Sequence, residues 1–240
     1  MAGISRAYKR RGNMVANTGA PVMCLDAGSR ISYPGSGTTW TDLSGNANTG
    51  TLVNGPTFNS ANSGSIVFDG VNDYASVTYA ASLDTPTGAT YSLWMKKTSS
   101  VAGEFLSRGI ADRGIDSDNP RLYHYSSNTV YIDWNTLAGS DRYVNSVAYT
   151  ELSFNNLVFV FSPGAPFLFY ANGVQVAVQM SGGSSDATMK NTAHNIIIGG
   201  AVWTNRFFTG KISSVTLHNR ALSAAEITTN FELTRGRYGI

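Results

Sequence analysis

Short segments in which apolar and polar side chains alternate recur along the chain, and turn-forming residues separate them. In the segment 89–96 the side chains of Tyr91, Leu93 and Met95 share one face, which is the two-residue period of a β-strand. The segment 157–161 is continuously apolar and predicts a buried central strand. Further strands are predicted at residues 22–25, 65–68, 74–77, 121–125, 130–134, 167–171, 174–178, 196–198 and 211–217.

Two local motifs add a tight hairpin and a helix to this pattern. Asn172 and Gly173 lie between two strand-like segments, and both accept the positive φ angles of a type I′ turn, so we predict a hairpin there. Ser223 and Glu226 have the spacing of a capping box, in which each side chain binds the other residue's backbone amide. This motif predicts a short helix that begins at Ser223 and ends near Phe231.

The composition agrees with an all-β protein. Of the 240 residues, 42% are hydrophobic, which is enough for a sizeable core, and only 13% are charged. Glycine and small polar residues take the place of charged ones, as expected for many strands joined by tight turns. The single cysteine, Cys24, cannot form an internal disulfide, and we expect a buried, inert thiol. No apolar run approaches the length of a membrane-spanning helix.

The positive charge is concentrated at the start of the chain. The net charge is only +2, which does not favour nucleic acid as a specific partner. Residues 1–20 nevertheless hold a cluster of basic residues, and no apolar segment of a signal peptide follows them. We interpret this segment as a basic arm that docks on an acidic partner, and a solvated tail is the alternative. Its candidate contact residues are Arg6, Tyr8, Lys9, Arg10 and Arg11.

The order and spacing of several short motifs resemble the laminin G-like modules of the concanavalin A-like lectin/glucanase superfamily. These motifs are WTDLSGN at 40–46, VFDGVNDY at 67–74, YSLW at 91–94, YANG at 170–173, IGG at 198–200, FTGKI at 208–212 and NRALSAAEI at 219–227. The resemblance implies a jellyroll sandwich of two antiparallel sheets, one of them concave. We therefore expect an N-terminal arm over residues 1–20 and a sandwich domain over residues 21–240.

The resemblance also suggests where the protein works. The basic arm, the missing signal peptide and the lone cysteine are similar to laminin G-like structural proteins of tailed-phage particles. On this hypothesis the chain is a non-enzymatic virion protein of the capsid or tail, assembled in the host cytoplasm. Its partners would be other virion proteins, copies of itself and host-surface glycans, with no membrane and no specific nucleic acid. The alternative is a calcium-dependent lectin module of a bacterial surface protein.

Catalysis is not expected, although the superfamily contains glucanases. Glycoside hydrolysis needs two carboxyl groups at a defined separation. None of the four glutamates lies in a closely spaced carboxylate cluster, and the aspartates that do cluster occupy a segment without strand periodicity. The histidines are isolated along the chain, so no catalytic triad is apparent. A glycoside hydrolase remains the second alternative. The residues considered are Glu104, Glu151, Glu226, Glu232, Asp112, Asp116, Asp118, His124, His194 and His218.

Calcium is the cofactor that the resemblance implies, because many laminin G-like modules carry one at the sandwich edge. Calcium takes oxygen ligands from carboxylates, amides and turn carbonyls. Asp69, Asn72 and Asp73 offer such groups on one short turn, and Asp42 with Asn46, or the loop 116–119, offers another set. The same residue types are also what turns need to bind their own amides, and that alternative stays open.

Carbohydrate binding is the function that two neighbouring strands suggest. Arg121, Tyr123 and Tyr125 alternate onto one face of the first strand, and Tyr131 and Asp133 onto one face of the second. If these faces coincide on the concave sheet, they combine aromatic rings with polar groups, as sugar sites do. Ordinary cross-strand pairing that covers the sheet is the alternative explanation.

Overall fold

The computed structural model describes residues 19–108, 120–124, 129–136, 139–146, 153–182, 193–202 and 205–240, and of residues 134–136, 139–146 and 180–182 it describes only the backbone. In chain order the strands are β1 (Met23–Asp26), β2 (Thr39–Trp40), β3 (Gly50–Val53), β4 (Thr57–Asn59), β5 (Ser65–Asp69), β6 (Tyr74–Val77), β7 (Ala89–Lys97), β8 (Gly103–Arg108), β9 (Arg121–His124), β10 (Thr129–Thr136), β11 (Gly139–Ser146), β12 (Asn155–Phe161), β13 (Leu168–Ala171), β14 (Val174–Val176), β15 (Gln179–Gly182), β16 (Ile196–Ile198), β17 (Gly200–Ala201), β18 (Arg206–Phe207) and β19 (Thr209–His218). Helix α1 spans Ala224–Thr234, and 3₁₀ helices span Ala61–Ser63, Ala81–Leu83 and Arg235–Tyr238.

The strands form two large antiparallel sheets. The eight-stranded sheet has the order β14-β13-β12-β7-β19-β5-β4, and β1 also pairs with β19. The nine-stranded sheet has the order β15-β11-β10-β9-β8-β16-β6-β3-β2. Strands β17 and β18 form a separate two-stranded ribbon. This architecture confirms the all-β, two-sheet antiparallel sandwich that the sequence predicts.

The hydrophobic core fills the space between the inner faces of the two sheets. Leu93 and Phe159 project into it from the eight-stranded sheet, and Leu122 and Ile132 from the nine-stranded sheet, all with at most 1% of their surface exposed. Each fully buried side chain of this kind contributes about 1.5–3 kcal/mol of transfer free energy. The alternation of apolar residues along the strands therefore decides which face of each sheet turns inward.

Strand β12 is apolar throughout because both of its faces are covered. Leu157, Phe159 and Phe161 belong to the core between the sheets. Val158 and Val160 point the other way and pack against Leu222, Tyr170 and Ile227, at the start of helix α1 and on strand β13. The helix thus shields the outer face of the eight-stranded sheet, which confirms the buried central strand predicted from the continuous apolar run.

The hairpin between β13 and β14 has the turn that its sequence predicts. Asn172 and Gly173 have φ angles of 51° and 77°, the left-handed values that a type I′ turn needs at both positions. A Cβ atom on Gly173 would also lie 2.8 Å from the Phe231 ring, so glycine is required on steric grounds as well. The Asn172 side chain accepts a hydrogen bond from the Asn156 amide, which fastens the turn to β12.

Helix α1 begins with the predicted capping box. The Ser223 hydroxyl accepts a hydrogen bond from the Glu226 amide, and the Glu226 carboxylate accepts one from the Ser223 amide. Glu226 also pairs with Arg220. Hydrogen bonds from Arg220 and Ser223 outweigh partial burial and lower the pKa of Glu226 to about 2. The helix continues to Thr234, three residues beyond the predicted end near Phe231.

Several strands lack a clear signature in the sequence. Strands β2, β3 and β4 are two to four residues long, too short for an alternating pattern to show. Strand β8 carries Glu104, Ser107 and Arg108, yet all of its residues are buried. Polar side chains are buried in a strand only when tertiary partners bind them, and such partners cannot be read from a local pattern.

Burial of His218 at the end of β19 predicts a loss of stability in mild acid. Burial and the nearby Arg220 charge lower the pKa of this imidazole to about 4 from an ordinary value of 6.5. Between these values the unfolded chain binds the proton and the folded chain does not, so stability is complete above pH 6.5 and falls as the pH drops. We expect a loss of about 2 kcal/mol from this residue between pH 7 and pH 5.

Urea unfolding of the protein and of His218→Leu at pH 7 and pH 5 measures this effect. The substituted protein has no imidazole at this position, so its stability should change less between the two pH values. Equal changes in both proteins would contradict the role given to His218.

Candidate functional site

The described residues that were predicted to bind sugar lie on two adjacent strands of the nine-stranded sheet, β9 and β10. Strands β9 and β10 pair so that Tyr131 lies opposite Tyr123, and Asp133 opposite Arg121. The residues between them, Leu122 and Ile132, point into the core. Tyr123, Tyr131, Arg121 and Asp133 therefore share the outer face of this sheet, the face turned away from the core.

The side chains of this face form a connected group, which we call the Arg121 cluster: Glu104, Arg121, Tyr123, Tyr131 and Asp133. The Arg121 guanidinium donates hydrogen bonds to both oxygens of Glu104 and to Oδ2 of Asp133. The Tyr123 hydroxyl donates to the same Asp133 oxygen at 2.9 Å. One cation and one phenol thus hold two carboxylates in place.

Aromatic contacts complete the Arg121 cluster. The rings of Tyr123 and Tyr131 are stacked, with centroids 5.3 Å apart and planes 16° from parallel. The Arg121 guanidinium carbon lies 5.0 Å from the Tyr123 ring centre, within the range of a cation–π contact. These contacts fix the orientation of the Tyr123 ring, because a tyrosine held by both a stack and a hydrogen bond has little rotational freedom left.

Exposure differs sharply within the Arg121 cluster. The Glu104 side chain is fully buried and Tyr123 is only 1% exposed. Tyr131 is half-buried, and the side chains of Arg121 and Asp133 keep 16% and 17% of their surface accessible. A ligand that approaches this face would therefore touch Tyr131, Asp133 and the edge of Arg121, with Glu104 and Tyr123 as the support beneath them.

Glu104 is the residue of the cluster that the sequence pattern did not reveal. A register shift between Glu104 and Leu106 adds one residue to β8, so both Phe105 and Leu106 point into the core and Glu104 lands opposite Tyr123. Glu104 and Asp133 lie on different strands, with β9 between them, and both pair with Arg121.

The charges of the cluster favour a permanently cationic Arg121. Burial lowers the pKa of this guanidinium, but the hydrogen bond and charge of Glu104, together with the charge of Asp133, raise it more, so the pKa lies above its ordinary value. The buried Glu104 carboxylate in turn has a fixed positive partner, which a charge removed from water requires.

The turn proposed for calcium uses its carboxylates on its own backbone. Oδ1 of Asp69 accepts hydrogen bonds from the amides of Val71 and Asn72. Oδ2 of Asp73 accepts one from the Asp69 amide at 3.1 Å. Burial, the largest effect, raises the pKa of Asp73, whereas the amide of Asp69 lowers it. Asp69, Asn72 and Asp73 share this turn as predicted. Their described hydrogen bonds fit the alternative that the turn binds its own backbone amides. Calcium binding at this turn stays a prediction.

The second candidate calcium turn is held by a dense set of hydrogen bonds to Asp42. Its two carboxylate oxygens accept bonds from the amides of Cys24, Ser44 and Asn48 and from the Ser44 hydroxyl. Donors already point at both oxygens, which opposes a cation at the same place. Asn46 binds the Val22 carbonyl and the Ser44 hydroxyl through its amide nitrogen. Through the bonds to Cys24 and Val22, the loop between β2 and β3 is fastened to the start of strand β1.

A sequence model of the concanavalin A-like lectin/glucanases superfamily matches residues 69–228, which is 160 of the 240 residues. The match includes all of strands β6 to β19, and with them the Arg121 cluster. The chain belongs to this superfamily. No curated protein sequence matches the chain.

Solved structures of similar fold extend this result. A Trypanosoma rangeli sialidase in complex with sialic acid superposes with a TM-score of 0.63 at 16% identity, over 92% of this chain and 34% of the sialidase. The ligand-binding domain of botulinum neurotoxin serotype D, in complex with N-acetylneuraminic acid, superposes with a TM-score of 0.69 at 11% identity, over 89% of this chain and 50% of the neurotoxin chain. The receptor-binding domain of the botulinum neurotoxin C/D mosaic superposes with a TM-score of 0.67 at 10% identity, over 89% of this chain and 51% of the neurotoxin chain. This chain spans a third to a half of these proteins, and the likeness is one of fold.

Other groups expected to matter fall outside the described residues. They are Tyr125 of the predicted sugar-binding set, the arm residues Arg6, Tyr8, Lys9, Arg10 and Arg11, and the clustered acids Asp112, Asp116 and Asp118 with the loop 116–119. Predictions about these residues therefore stand on the sequence.

The described cysteine and histidine side chains give no sign of a nucleophilic or metal-binding site. Burial, with the charges of Asp26 and Asp42, raises the pKa of the Cys24 thiol to about 12, so it is a poor nucleophile. His124 stacks on Phe105 at the edge of the core. Among the described residues no three His, Cys, Asp or Glu side chains gather as a metal-binding group. Nor does any helix in those parts of the chain have the length and apolar character needed to cross a bilayer.

The buried Glu104–Arg121 pair predicts a large effect of removing one partner. Arg121→Met leaves the Glu104 carboxylate without its cation, and breaking a buried pair in this way costs about 3 kcal/mol or more. The double substitution Glu104→Met with Arg121→Met removes both charges and should recover much of that loss. Urea unfolding of the single and double variants measures the coupling.

The matched control is Arg235→Met, which breaks the exposed pair between Arg235 and Glu232 on the helix. Exposed pairs contribute about 0–1 kcal/mol, so this variant should keep most of its stability. Additive effects of Glu104→Met and Arg121→Met would contradict a direct coupling between the two residues.

Proposed function

We propose that this chain is a non-enzymatic carbohydrate-binding module whose ligand contacts the Arg121 cluster. The observation that carries the proposal is the stacked pair Tyr123 and Tyr131 with Arg121 and Asp133 beside it on the outer face of the nine-stranded sheet. It gathers aromatic and polar groups at one place on a rigid sheet. Membership of a lectin/glucanase superfamily supports the same conclusion.

The accessible groups of the cluster suit a sugar ring. Sugars present patches of C–H bonds that pack on aromatic rings, and hydroxyl groups that need hydrogen-bond partners. Half-buried Tyr131 supplies ring surface, while the accessible edges of Asp133 and Arg121 supply an acceptor and donors. The buried Glu104 and Tyr123 fix these groups before a ligand arrives, which reduces the entropy lost on binding.

Binding without hydrolysis follows from how the two carboxylates are used. A glycosidase places two carboxyl groups on either side of the scissile bond, one as acid and the other as base or nucleophile. Here Glu104 and Asp133 both bind the same guanidinium, and Glu104 is fully buried beneath it. Hydrolysis by Glu104 and Asp133 would need Arg121 to leave this position, and we expect no turnover of β-glucans or sialosides.

Tyr131→Ala tests the proposed site. The protein is first screened on an array of neutral and acidic glycans, and the tightest ligand is then titrated by calorimetry. Loss of the Tyr131 ring should weaken binding at least about fivefold, because a good aromatic contact contributes about 1 kcal/mol or more. Thermal unfolding of the variant checks that the fold is intact.

Tyr74→Ala is the matched control. Tyr74 is a half-buried tyrosine of the same sheet, four strands away from β10 along the sheet order, or about 19 Å at the usual strand spacing. Its removal should leave affinity unchanged. Equal losses in both variants, or binding to no glycan at all, would contradict the proposal. The same titration with chelator tests the calcium-dependent alternative, since an ion required at the site is lost with the chelator.

We also propose, from the sequence, that the module is displayed on a virus particle and anchored by residues 1–20. The support is the run Lys9-Arg10-Arg11 with Arg6 nearby, which suits an acidic neighbour, and ordering such a segment costs about 1–2 kcal/mol per residue unless a partner supplies contacts. In this role, copies of the chain and other virion proteins are the partners.

Deletion of residues 1–15 tests the anchoring role. The truncated chain should keep the melting temperature of the full chain. It should not form the multimer, or join the particle, that light scattering detects with the full chain. The triple substitution Lys9→Glu, Arg10→Glu and Arg11→Glu should act like the deletion, because it reverses the charge and keeps the length. Normal assembly of both variants would refute the role of the arm.

A further inference from the structure

The chain contains two Asn-Gly pairs, Asn54-Gly55 and Asn172-Gly173, which the fold places in different surroundings. Asparagine is a chemically labile residue, and a following glycine favours its reaction with the backbone. Glycine has no side chain to block the approach of its amide nitrogen to the asparagine Cγ atom, and its backbone rotates freely. In a folded protein the reaction then depends on how firmly each pair is held.

Asn172 is held at its backbone and at both ends of its side-chain amide. Its backbone N–H donates to the Asn156 carbonyl, and its Oδ1 accepts from the Asn156 amide. Its Nδ2 donates to Oδ1 of Asn155. Gly173 lies against the Phe231 ring. The attacking nitrogen can reach Cγ only if the backbone of the pair rotates, and rotation here would break three hydrogen bonds and the hairpin turn.

Asn54 and Gly55 are both exposed and are held much less firmly. They lie in the three-residue link that carries the chain from β3 in the nine-stranded sheet to β4 in the eight-stranded sheet. The described contacts of the Asn54 side chain are a single hydrogen bond, from Nδ2 to the Asn72 carbonyl at 2.8 Å. Apart from its chain neighbours, no described atom lies within 4 Å of the place that a Gly55 Cβ would occupy. Rotation at this pair therefore costs one exposed hydrogen bond.

We propose that Asn54 is a self-modification site, at which the Gly55 amide nitrogen attacks the Asn54 side chain. A bond forms between the Gly55 nitrogen and Cγ of Asn54, and the bond from Cγ to Nδ2 breaks. Nδ2 leaves as ammonia, with the proton that the Gly55 amide gives up. Water then opens the resulting succinimide ring at either carbonyl, which yields aspartate or isoaspartate at position 54.

The products change the contact with the neighbouring turn as well as the link itself. The Nδ2 donor that binds the Asn72 carbonyl is replaced by a carboxylate oxygen, so this hydrogen bond is lost. The new negative charge lies beside the turn that carries Asp69 and Asp73, and it reduces the formal net charge of +2 by one. Isoaspartate also adds one methylene group to the backbone between β3 and β4. Asn54 lies five strands from β10 in the sheet order, so this site does not depend on the proposed carbohydrate site.

Incubation of the full chain at mildly alkaline pH, followed by chymotryptic digestion and mass spectrometry, measures the reaction at each pair. A modified peptide gains the mass difference between an amide and a carboxylic acid, and a sample taken at time zero corrects for reaction during digestion. We expect Asn54 to react about tenfold faster than Asn172 or more, because opening at Asn172 must break two additional hydrogen bonds.

Gly55→Ala tests the attacking group, because a Cβ beside the nitrogen hinders its approach while Asn54 keeps its own side chain. The reaction at Asn54 should slow and the reaction at Asn172 should stay the same. Thermal unfolding checks that the variant is folded. Incubation in urea is the matched control for the folded contacts, and there the two pairs of the unsubstituted chain should react at similar rates.

The outcomes decide each part of the proposal. Faster conversion at Asn54 in the folded chain, slowed by Gly55→Ala and equalled by Asn172 in urea, supports it. No conversion at Asn54 in the folded chain, or conversion at Asn172 that equals it, overturns it. An advantage of Asn54 that persists in urea would assign the difference to local sequence and overturn the role given to the folded contacts.

Discussion

The pairing of strand β19 on both of its edges is the interaction on which the sandwich depends. Along one edge it bonds to β7 over nearly its whole length. Along the other edge it bonds first to β5 through Thr209–Ile212 and then to β1 through Ser214–Leu217. Segments from the beginning, the middle and the end of the chain are thus joined in one sheet. Because these contacts are distant in sequence, the sheet forms only when most of the chain is in place.

The junction where β5 gives way to β1 has its own stabilising contacts. Ser213 is the extra residue of a bulge against β7, and its hydroxyl donates to the Gly64 carbonyl. Arg237, from the last helical turn, donates to the Ser213 hydroxyl, to the Gly64 carbonyl and to Asp26 at the end of β1. Next to it, Tyr238 stacks on Trp94 at 4.0 Å between ring centres. The C-terminal residues therefore stabilise the junction between β5 and β1 in the eight-stranded sheet.

Local physics decides how far the sequence predicts this molecule. The alternation in β7, the apolar run in β12, the Asn172-Gly173 turn and the capping box at Ser223 are set by neighbours in the chain, and each was predicted. The shared face of Tyr123 and Tyr131 follows from the same two-residue period. Glu104 was not predictable, because a one-residue bulge in β8 and a distant arginine determine where it lies. In the turn of Asp69 and Asp73, capping and ion binding call for the same residues, so sequence alone leaves both functions open.

The bonds that stabilise the nine-stranded sheet also determine how a ligand can bind there. Glu104 and Arg121 hold Tyr123 and Asp133 in fixed orientations, so little side-chain entropy is lost when a sugar arrives. The accessible part of the cluster is nevertheless small, and a single site of this size gives weak affinity. Display of several copies through the basic arm would raise the effective concentration of sites, and avidity can then exceed single-site affinity by about 10²–10⁴. On the proposed function, a rigid, weak site and an assembly arm would be complementary parts of one adhesive protein.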